Sequence, residues 1–313
     1  MQYRNFFPGS PAVSAIGLGA WQLGVNSGWQ GLTEQEAVHL VQAALDAGVN
    51  FFDTAPNYGH GSGEERLGKA LKYTDRAQIV INTKFGHTPT GTTNYSAAHI
   101  RESLEGSLQR LQTDYVDSLI IHNPPSSYLD GNNNPHYEIL EQLKQEGKLR
   151  AYGASLDTCA DMRLLMDTTG SQVIEAFFNI LHQDAANAFE QAQQKGVGII
   201  VKIPLDSGWL TGKYHAGSTF TGVRARWSAE DIVTRAALVE EVKTIIGTSQ
   251  PMAQVALAFC LAFDAVSTVI PGNLNTAQLQ QNLQSLEHPL PAETVLQLKQ
   301  FYREKVAPLL LPW

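Results

Sequence analysis

Four side chains that can take part in acid–base chemistry occur in order along the chain, namely Asp53, Tyr58, Lys84 and His122. Each stands at or shortly after a short apolar run, which is the pattern of a buried strand. The carboxyl ends of parallel strands meet at one edge of a sheet, so these side chains would lie together on neighbouring strands. A carboxylate, a phenol, an ammonium and an imidazole in one place predict a proton-transfer site.

Each of these residues also has an ordinary structural explanation. Asp53 could cap a loop, and Tyr58 could pack as an aromatic ring. Lys84 could extend to solvent, and His122 could be a hydrogen-bonded structural residue. The explanations weaken when taken together, because a lysine buried at a strand end is costly unless a carboxylate pairs with it. Asp53 could supply that carboxylate, so the joint pattern favours a functional cluster.

The segments around these residues follow a regular order. Short apolar runs alternate with longer amphipathic segments from about residue 15 to about residue 285, as expected when crossover helices join parallel strands. The alternation predicts an α/β fold, either a (β/α)8 TIM barrel with parallel strands or an open doubly wound sheet. The eight predicted strands are residues 15–19, 50–54, 79–84, 116–122, 151–155, 173–177, 198–203 and 266–271.

Helix and loop signals fit the same order. Thr33 and Glu36 form a capping box, and Ser96 is a suitable N-cap for a helix that ends near Gln112. Two long loops, residues 123–135 and 205–227, follow predicted strands 4 and 7. In a barrel, the loops after the carboxyl ends of the strands form the active-site face.

The composition fits one folded domain over residues 1–313, with 43% hydrophobic and 17% charged residues. A formal net charge of -8 and a pI near 5.6 disfavour a nucleic-acid partner. Cys159 and Cys260 have neither disulfide nor metal-ligand spacing, and the histidines form no HExxH pattern, so we expect a reducing compartment and no metal.

The chain carries no sign of export or membrane insertion. Its amino terminus lacks the apolar stretch of a signal peptide, and no run approaches the ~20 apolar residues that span a bilayer. We therefore expect a cytoplasmic protein with no membrane partner. No heptad pattern or interface motif indicates an oligomeric state.

Segments containing these residues resemble, in order, the signatures of aldo-keto reductases, and of bacterial members in particular. The segments are Gly17-Leu-Gly-Ala-Trp21, Phe52-Asp-Thr-Ala-Pro-Asn-Tyr-Gly59, Thr83-Lys84, Leu119-Ile-Ile-His122 and Ile270-Pro-Gly272, and they cover essentially the whole chain. The resemblance implies a (β/α)8 barrel and an NAD(P)-dependent oxidoreductase. Such an enzyme moves a hydride between the nicotinamide and a small aldehyde or ketone, or the corresponding alcohol. The resemblance also implies that Asp53, Tyr58, Lys84 and His122 form the family's catalytic tetrad.

Hydride transfer gives each of these residues a role. A hydride that reaches a carbonyl carbon leaves an alkoxide, which needs a nearby proton donor, and Tyr58 is the candidate acid. A free tyrosine has a pKa of about 10, so we expect the Lys84 ammonium to lower the pKa of Tyr58. Asp53 would hold Lys84, and His122 would orient the substrate oxygen as a neutral imidazole.

The resemblance also indicates where a dinucleotide binds. In the family a Ser, an Asn and a Gln hold the carboxamide, and the matching positions here are Ser155, Leu156 and Glu175. Glu175 can accept but not donate a hydrogen bond unless it is protonated. Lys202 lies where many relatives place an aromatic ring against the nicotinamide. The other expected cofactor positions are Ala20, the pyrophosphate-loop residues Leu205, Ser207 and Lys213, and the adenosine-end residues Gly272, Asn273, Gln278 and Asn282.

Residues 271–282 contain no Lys or Arg. Relatives that prefer NADPH usually place a cation in this segment to pair with the 2'-phosphate. The sequence therefore predicts a preference for NAD(H), with NADP(H) as the alternative. A preference for NAD(H) favours oxidation in the cell, for example of an aldose or another alcohol.

The residues expected to line the substrate opening are Trp21, Trp29, His60, Asn123 and Trp209, with residues 309–313 as a further candidate. Aromatic rims suit sugars and hydrophobic aldehydes alike, so the substrate stays open. Two other functions also stay open. A catalytically silent regulatory subunit would retain the same motifs, and an unrelated barrel isomerase or lyase would share only the fold.

Overall fold

The computed structural model describes residues 1–24, 31–248 and 250–312. Its main sheet contains eight strands in sequential order, and each neighbouring pair is parallel. All the predicted strands are present, with ends that differ by at most three residues. The strands are β1 Leu18–Gly19, β2 Phe51–Asp53, β3 Val80–Phe85, β4 Val116–Ile121, β5 Leu149–Leu156, β6 Val173–Phe177, β7 Gly198–Lys202 and β8 Val266–Val269.

The first and last strands meet and close the sheet. The backbone nitrogen of Gly17 donates to the Val269 oxygen at 2.9 Å, and the Val269 nitrogen donates to the Ala15 oxygen at 2.9 Å. Parallel bridges between Ile16 and Val269 and between Gly19 and Gly272 extend this seam. The sheet is therefore a (β/α)8 barrel, and the open doubly wound alternative is excluded.

Helices alternate with the strands as predicted. The capping box of the first helix is present, since the Glu36 nitrogen donates to Thr33 Oγ1 and the Thr33 nitrogen donates to Glu36 Oε2. Ser96 precedes the third helix, but its hydroxyl donates to Asn94 Oδ1 instead of capping the helix. The helices are α1 Glu34–Asp46, α2 Ser62–Leu71, α3 Ala97–Leu111, α4 His136–Gln145, α5 Cys159–Thr168, α6 Phe189–Gln194, α7 Ala229–Ile246, α8 Met252–Leu261, α9 Thr276–Leu283 and α10 Ala292–Phe301.

The barrel interior has an apolar layer, to which the segment before the barrel contributes. An antiparallel pair formed by Tyr3–Arg4 and Val13–Ser14 precedes the barrel, and Phe6 and Phe7 belong to its connecting segment. The layer consists of Phe6, Phe7, Val13, Phe51, Val80, Ile120, Ala151, Val173, Ile200 and Ile270. Alternate residues of a strand share a face, so a strand that puts Phe51 in this layer puts Asp53 above it. The next interior layer is therefore the place for polar chemistry.

Two long loops leave the carboxyl ends of β4 and β7, as the sequence predicts. The first joins Ile121 to His136, and the second joins Lys202 to Ala229. Both loops begin at the carboxyl ends of their strands, as does the loop that follows Asp53 at the end of β2. Within the described residues, no helix is both long enough and apolar enough to cross a membrane.

A glycine at the contact between β5 and β6 provides a test of this fold. Gly153 lies opposite Val173, and a Cβ at Gly153 would collide with the Val173 carbonyl oxygen. We predict that Gly153→Ala lowers the free energy of unfolding by about 3 kcal/mol, because backbone atoms of a paired strand cannot move aside.

Chemical denaturation measures this difference, and Gly106→Ala in α3 is the matched control. A Cβ at Gly106 would meet first the flexible end of Arg110, and alanine is favoured over glycine in a helix by about 1 kcal/mol. A Gly153→Ala variant as stable as the wild type would contradict the pairing of β5 with β6.

Candidate active site

The buried ammonium of Lys84 lies at the centre of the polar layer, and the side chain is fully inaccessible to solvent. Its Nζ donates to Asp53 Oδ1 at 2.8 Å, to Asp53 Oδ2 at 2.6 Å and to the Thr54 carbonyl at 3.0 Å. Lys84 Nζ also lies 3.1 Å from Glu175 Oε2. The structure thus pairs Lys84 with Asp53, as expected, and adds a second carboxylate that the sequence did not link to it.

The Asp53 carboxylate is held in place by a neighbouring amide. Asn82 pairs with Asp53 in the β2–β3 register, and its Nδ2 donates to Asp53 Oδ2 at 2.7 Å. Ser118 on β4 donates in turn to the Asn82 amide oxygen. Sequence reasoning missed Asn82 and Ser118. The available signal was that Asn82 stands two residues before Lys84 and so shares its face of the strand.

Tyr58 reaches this cluster from the loop after β2. The Gly63 nitrogen at the start of α2 donates to the Tyr58 carbonyl at 3.0 Å, which fixes the loop. Lys84 Nζ lies 5.3 Å from the centre of the Tyr58 ring, and the His122 ring packs edge-on against it at a centroid distance of 6.0 Å. All the residues of the expected tetrad therefore lie in one group.

The protonation states of this group follow from a competition between burial and charge. Burial raises the pKa of the Tyr58 phenol and outweighs the opposing effect of Lys84, so the pKa lies above its ordinary value. The sequence had predicted a lowered pKa, because it showed the ammonium but not the desolvation. Burial and the nearby Glu175 raise the pKa of Asp53 to about 7. Burial lowers the pKa of Lys84, but Asp53 and Glu175 more than reverse this effect, so Lys84 stays charged.

His122 is buried and uncharged. Burial lowers its pKa well below the ordinary value, and the charges of Lys84 and Lys202 act in the same direction. Its Nδ1 atom has no hydrogen-bond partner among the described residues. The ring of His87, which sequence reasoning missed, stacks on that of His122 at a centroid distance of 4.5 Å. His87 Nε2 lies 2.7 Å from Tyr95 Oη, and that hydroxyl donates to the His122 carbonyl at 2.7 Å.

A second polar group continues from Glu175 toward β7. Ser155 Oγ donates to Glu175 Oε1 at 3.1 Å and lies 2.8 Å from Asn123 Oδ1. Lys202 Nζ donates to Ser155 Oγ at 2.9 Å and to Asn123 Oδ1 at 2.6 Å, and it pairs with Asp157 at 2.7 Å. The structure therefore brings Ser155, Glu175 and Lys202 together beside the tetrad. Leu156, at the adjacent position on β5, is instead buried in the hydrophobic core.

The loop after β7 has a strained backbone and carries positive charge. Asp206 and Ser207 adopt left-handed φ values of 46° and 53°, which residues other than glycine rarely adopt. Arg224 Nε donates to the Ser207 carbonyl at 2.9 Å, and Arg226 Nη2 donates to Ser207 Oγ at 3.2 Å. Sequence reasoning missed both arginines. Lys213 is exposed, with its Nζ 4.9 Å from the centre of the Tyr214 ring, and Leu205 is half-buried at the start of the loop.

Side-chain amides organise the segment after β8. Asn282 Nδ2 donates to Asn273 Oδ1 at 2.8 Å, and Asn273 Nδ2 donates to the Pro271 carbonyl at 3.0 Å. Gln278 Oε1 accepts a hydrogen bond from the Leu274 nitrogen at 2.9 Å. A Cβ at Gly272 would meet the amide end of the flexible Gln22 side chain. Ala20 lies across the barrel seam, fully buried, with its nitrogen donating to the Asp53 carbonyl at 2.8 Å.

The expected substrate-lining residues divide into different environments. Trp21 is 36% exposed and stacks on the Tyr58 ring at 6.2 Å. His60 and Asn123 are exposed near the same opening, and His60 Nδ1 lies 2.7 Å from the Pro89 carbonyl. Trp29 and Trp313 lie outside the described residues.

The expectation for Trp209 is wrong. Its side chain is fully buried and packs against other aromatic rings of its loop, those of Tyr214, Phe220 and Trp227. A ring enclosed in this way supports the loop from beneath and does not reach a ligand at the opening.

The site has the groups that a nicotinamide dinucleotide requires. The Ser155 hydroxyl and the Glu175 carboxylate can meet a carboxamide, the Ser207 loop with its arginines can meet phosphates, and Gly272 allows close approach to the backbone. In residues 1–24, 31–248 and 250–312, no group of three or more His, Cys, Asp or Glu side chains could hold a metal ion.

Comparisons with known proteins found relatives that match most of the chain. The L-galactose dehydrogenase of Arabidopsis thaliana is 31% identical over 278 residues, which span 87% of this chain and 83% of that protein. A probable voltage-gated potassium channel subunit beta of the same plant is 30% identical over 314 residues, 92% of each chain. The holo structure of an aldo-keto reductase from Bacillus halodurans is 29% identical, covers 96% of each chain and superposes with a TM-score of 0.81.

The model of the Aldo/keto reductase family matches residues 15–303. This match spans every strand of the barrel, from β1 to β8. The chain therefore belongs to the aldo/keto reductase family of NAD(P)-dependent oxidoreductases.

Proposed function

We propose that this protein reduces a small aldehyde or ketone, or oxidises the corresponding alcohol, with Tyr58 as the general acid and base. The observation that carries the proposal is the buried Lys84 ammonium, ion-paired with Asp53 and lying 5.3 Å from the Tyr58 ring. A buried cation beside a phenol stabilises the phenolate and so eases the loss and return of its proton.

The bound nicotinamide supplies or accepts the hydride, and the side chains of the chain manage the proton. In reduction, the protonated phenol of Tyr58 donates to the developing alkoxide, and its raised pKa keeps it protonated beforehand. His122, neutral and buried, donates a hydrogen bond that orients the substrate oxygen. In oxidation, the phenolate accepts the alcohol proton while Lys84 compensates its charge.

A polar substrate of the sugar or hydroxy-aldehyde class fits the opening best. The groups around it include the His60 and His87 imidazoles and the Asn123 amide, which can bond hydroxyl groups. Trp21 offers an aromatic face on which a sugar ring can stack. The likeness to the L-galactose dehydrogenase supports an aldose or related alcohol.

For the cofactor, we propose a preference for NAD(H) over NADP(H). Residues 271–282 carry no cation for a 2'-phosphate. Arg224 and Arg226 contact Ser207 in the loop after β7, and we assign them to the pyrophosphate that both cofactors share.

A regulatory subunit with little or no turnover is the second candidate. It is favoured by the likeness to the potassium channel subunit beta, which covers 92% of both chains. Such a subunit would bind cofactor through the same residues, so only turnover separates the two functions.

Tyr58→Phe tests the assigned role directly. We predict that it lowers kcat by about a hundredfold or more with an aldose or small-aldehyde panel, because the proton donor is lost. The dissociation constant of the cofactor should stay unchanged. Stopped-flow kinetics measures the rate, and fluorescence titration measures the dissociation constant of the cofactor. Tyr115→Phe is the control, because Tyr115 directly precedes β4 at its amino-terminal end, whereas His122 follows its carboxyl end. A wild-type protein that binds cofactor and turns over no substrate would favour the regulatory function.

Arg226→Ala tests the phosphate assignment. We predict that wild-type kcat/KM is higher with NAD(H) than with NADP(H). The variant should raise the dissociation constants of both cofactors by a similar factor of about ten. Isothermal titration with each cofactor measures this effect, and Arg163→Ala in α5 is the control. A loss confined to NADP(H) would place Arg226 at the 2'-phosphate and contradict the proposed preference.

A further inference from the structure

Two carboxylates from opposite sides of the barrel share one ammonium. Asp53 on β2 and Glu175 on β6 both contact Lys84 Nζ, at 2.6 and 3.1 Å. Both carboxylates are almost fully buried, with side chains 3% and 4% exposed. When ionised, this group of three carries a net charge of minus one.

The nearby cations do not cancel this charge. Lys202 lies beyond Ser155 and its charge acts on Glu175, but this charge is itself paired with Asp157 at 2.7 Å. His122 and His87 face the same space, and burial lowers the pKa of each, so neither adds a positive charge at neutral pH. The Tyr58 phenol is neutral. The interior beside Tyr58 and Ser155 is therefore an electronegative place with little water to screen it.

We propose that Glu175 is a specificity-determining residue that makes this site bind the oxidised, cationic nicotinamide more tightly than the reduced, neutral ring. The inference rests on the proposed function, since it takes the nicotinamide to lie beside Ser155 and Glu175. A buried carboxylate attracts a nearby positive ring and does nothing comparable for a neutral one. By linkage, stronger binding of the oxidised form makes the bound reduced cofactor a stronger hydride donor.

The environment of Asp53 supports this account. The pKa of Asp53 is raised to about 7, so below that pH Asp53 is protonated and the group of three is neutral. Above it Asp53 is ionised and the net negative charge appears. The affinity for NAD⁺ should therefore increase as the pH rises from 6 to 8, while the affinity for NADH changes less.

The decisive measurement is the ratio of the dissociation constants of NAD⁺ and NADH, obtained from calorimetric titration without substrate. We expect Glu175→Gln to raise this ratio about tenfold, because it removes the charge and keeps the size of the side chain. It should also flatten the pH dependence of NAD⁺ binding between pH 6 and 8. Lys84 keeps its ion pair with Asp53 in this variant. Thermal unfolding checks that the fold is intact.

Two controls separate charge from structure. Glu175→Asp keeps the charge and should keep the ratio near that of the wild type. Glu64→Gln removes another buried carboxylate, one on α2 that accepts hydrogen bonds from Thr83 and from Arg110 of α3, and should leave the ratio unchanged.

The outcomes distinguish this inference from the proposed function. An unchanged ratio in Glu175→Gln overturns the role of Glu175, while the proposed hydride transfer with Tyr58 stands. A wild-type chain that binds neither NAD⁺ nor NADH overturns both. A raised ratio in Glu175→Gln together with a wild-type ratio in Glu175→Asp supports the inference.

Discussion

The structure of this site depends on the cost of burying the Lys84 ammonium. A cation without water needs acceptors and an opposite charge. Here β2 and the loop after it supply the hydrogen-bond acceptors, and Glu175 on β6 adds a second carboxylate at 3.1 Å. In a flat sheet, β3 and β6 would lie about 14 Å apart, three strand spacings. Barrel closure lets Lys84 and Glu175 meet across the interior instead. The same closure that completes the fold thus completes the coordination of the ammonium.

Desolvation sets the chemistry of the tetrad as much as charge does. The Tyr58 phenol and the His122 imidazole are both held in their neutral forms by burial, which suits a proton donor and a hydrogen-bonding partner of the substrate oxygen. Lys84 stays charged because two carboxylates outweigh its own desolvation. Burial therefore sets the protonation of Tyr58 and His122, while the two carboxylates set that of Lys84.

The loops on the carboxyl-terminal face provide the rest of the site, and they are fixed by interactions beneath them. Asp206 in the loop after β7 pairs with the buried Arg235 of α7, which also bonds the Pro312 carbonyl. The Trp209 ring packs against neighbouring aromatic rings of the same loop. These anchors hold Ser207 where Arg224 and Arg226 can reach it, so packing positions the part of the loop to which we assign the phosphates.

The sequence by itself determined the eight strands of an α/β fold, because strand alternation is a local property, and its short motifs singled out Asp53, Tyr58, Lys84 and His122 as the expected tetrad. The resemblance of these motifs to aldo-keto reductases implied a closed barrel, and the contacts between the first and last strands excluded the open sheet. Only the tertiary structure decided which groups meet from distant segments. It brought Glu175 to Lys84, His87 to His122 and Arg226 to Ser207, and it removed Trp209 from the opening. The tertiary structure also decided that the pKa of Tyr58 is raised and not lowered, because desolvation depends on three-dimensional surroundings that no local pattern records.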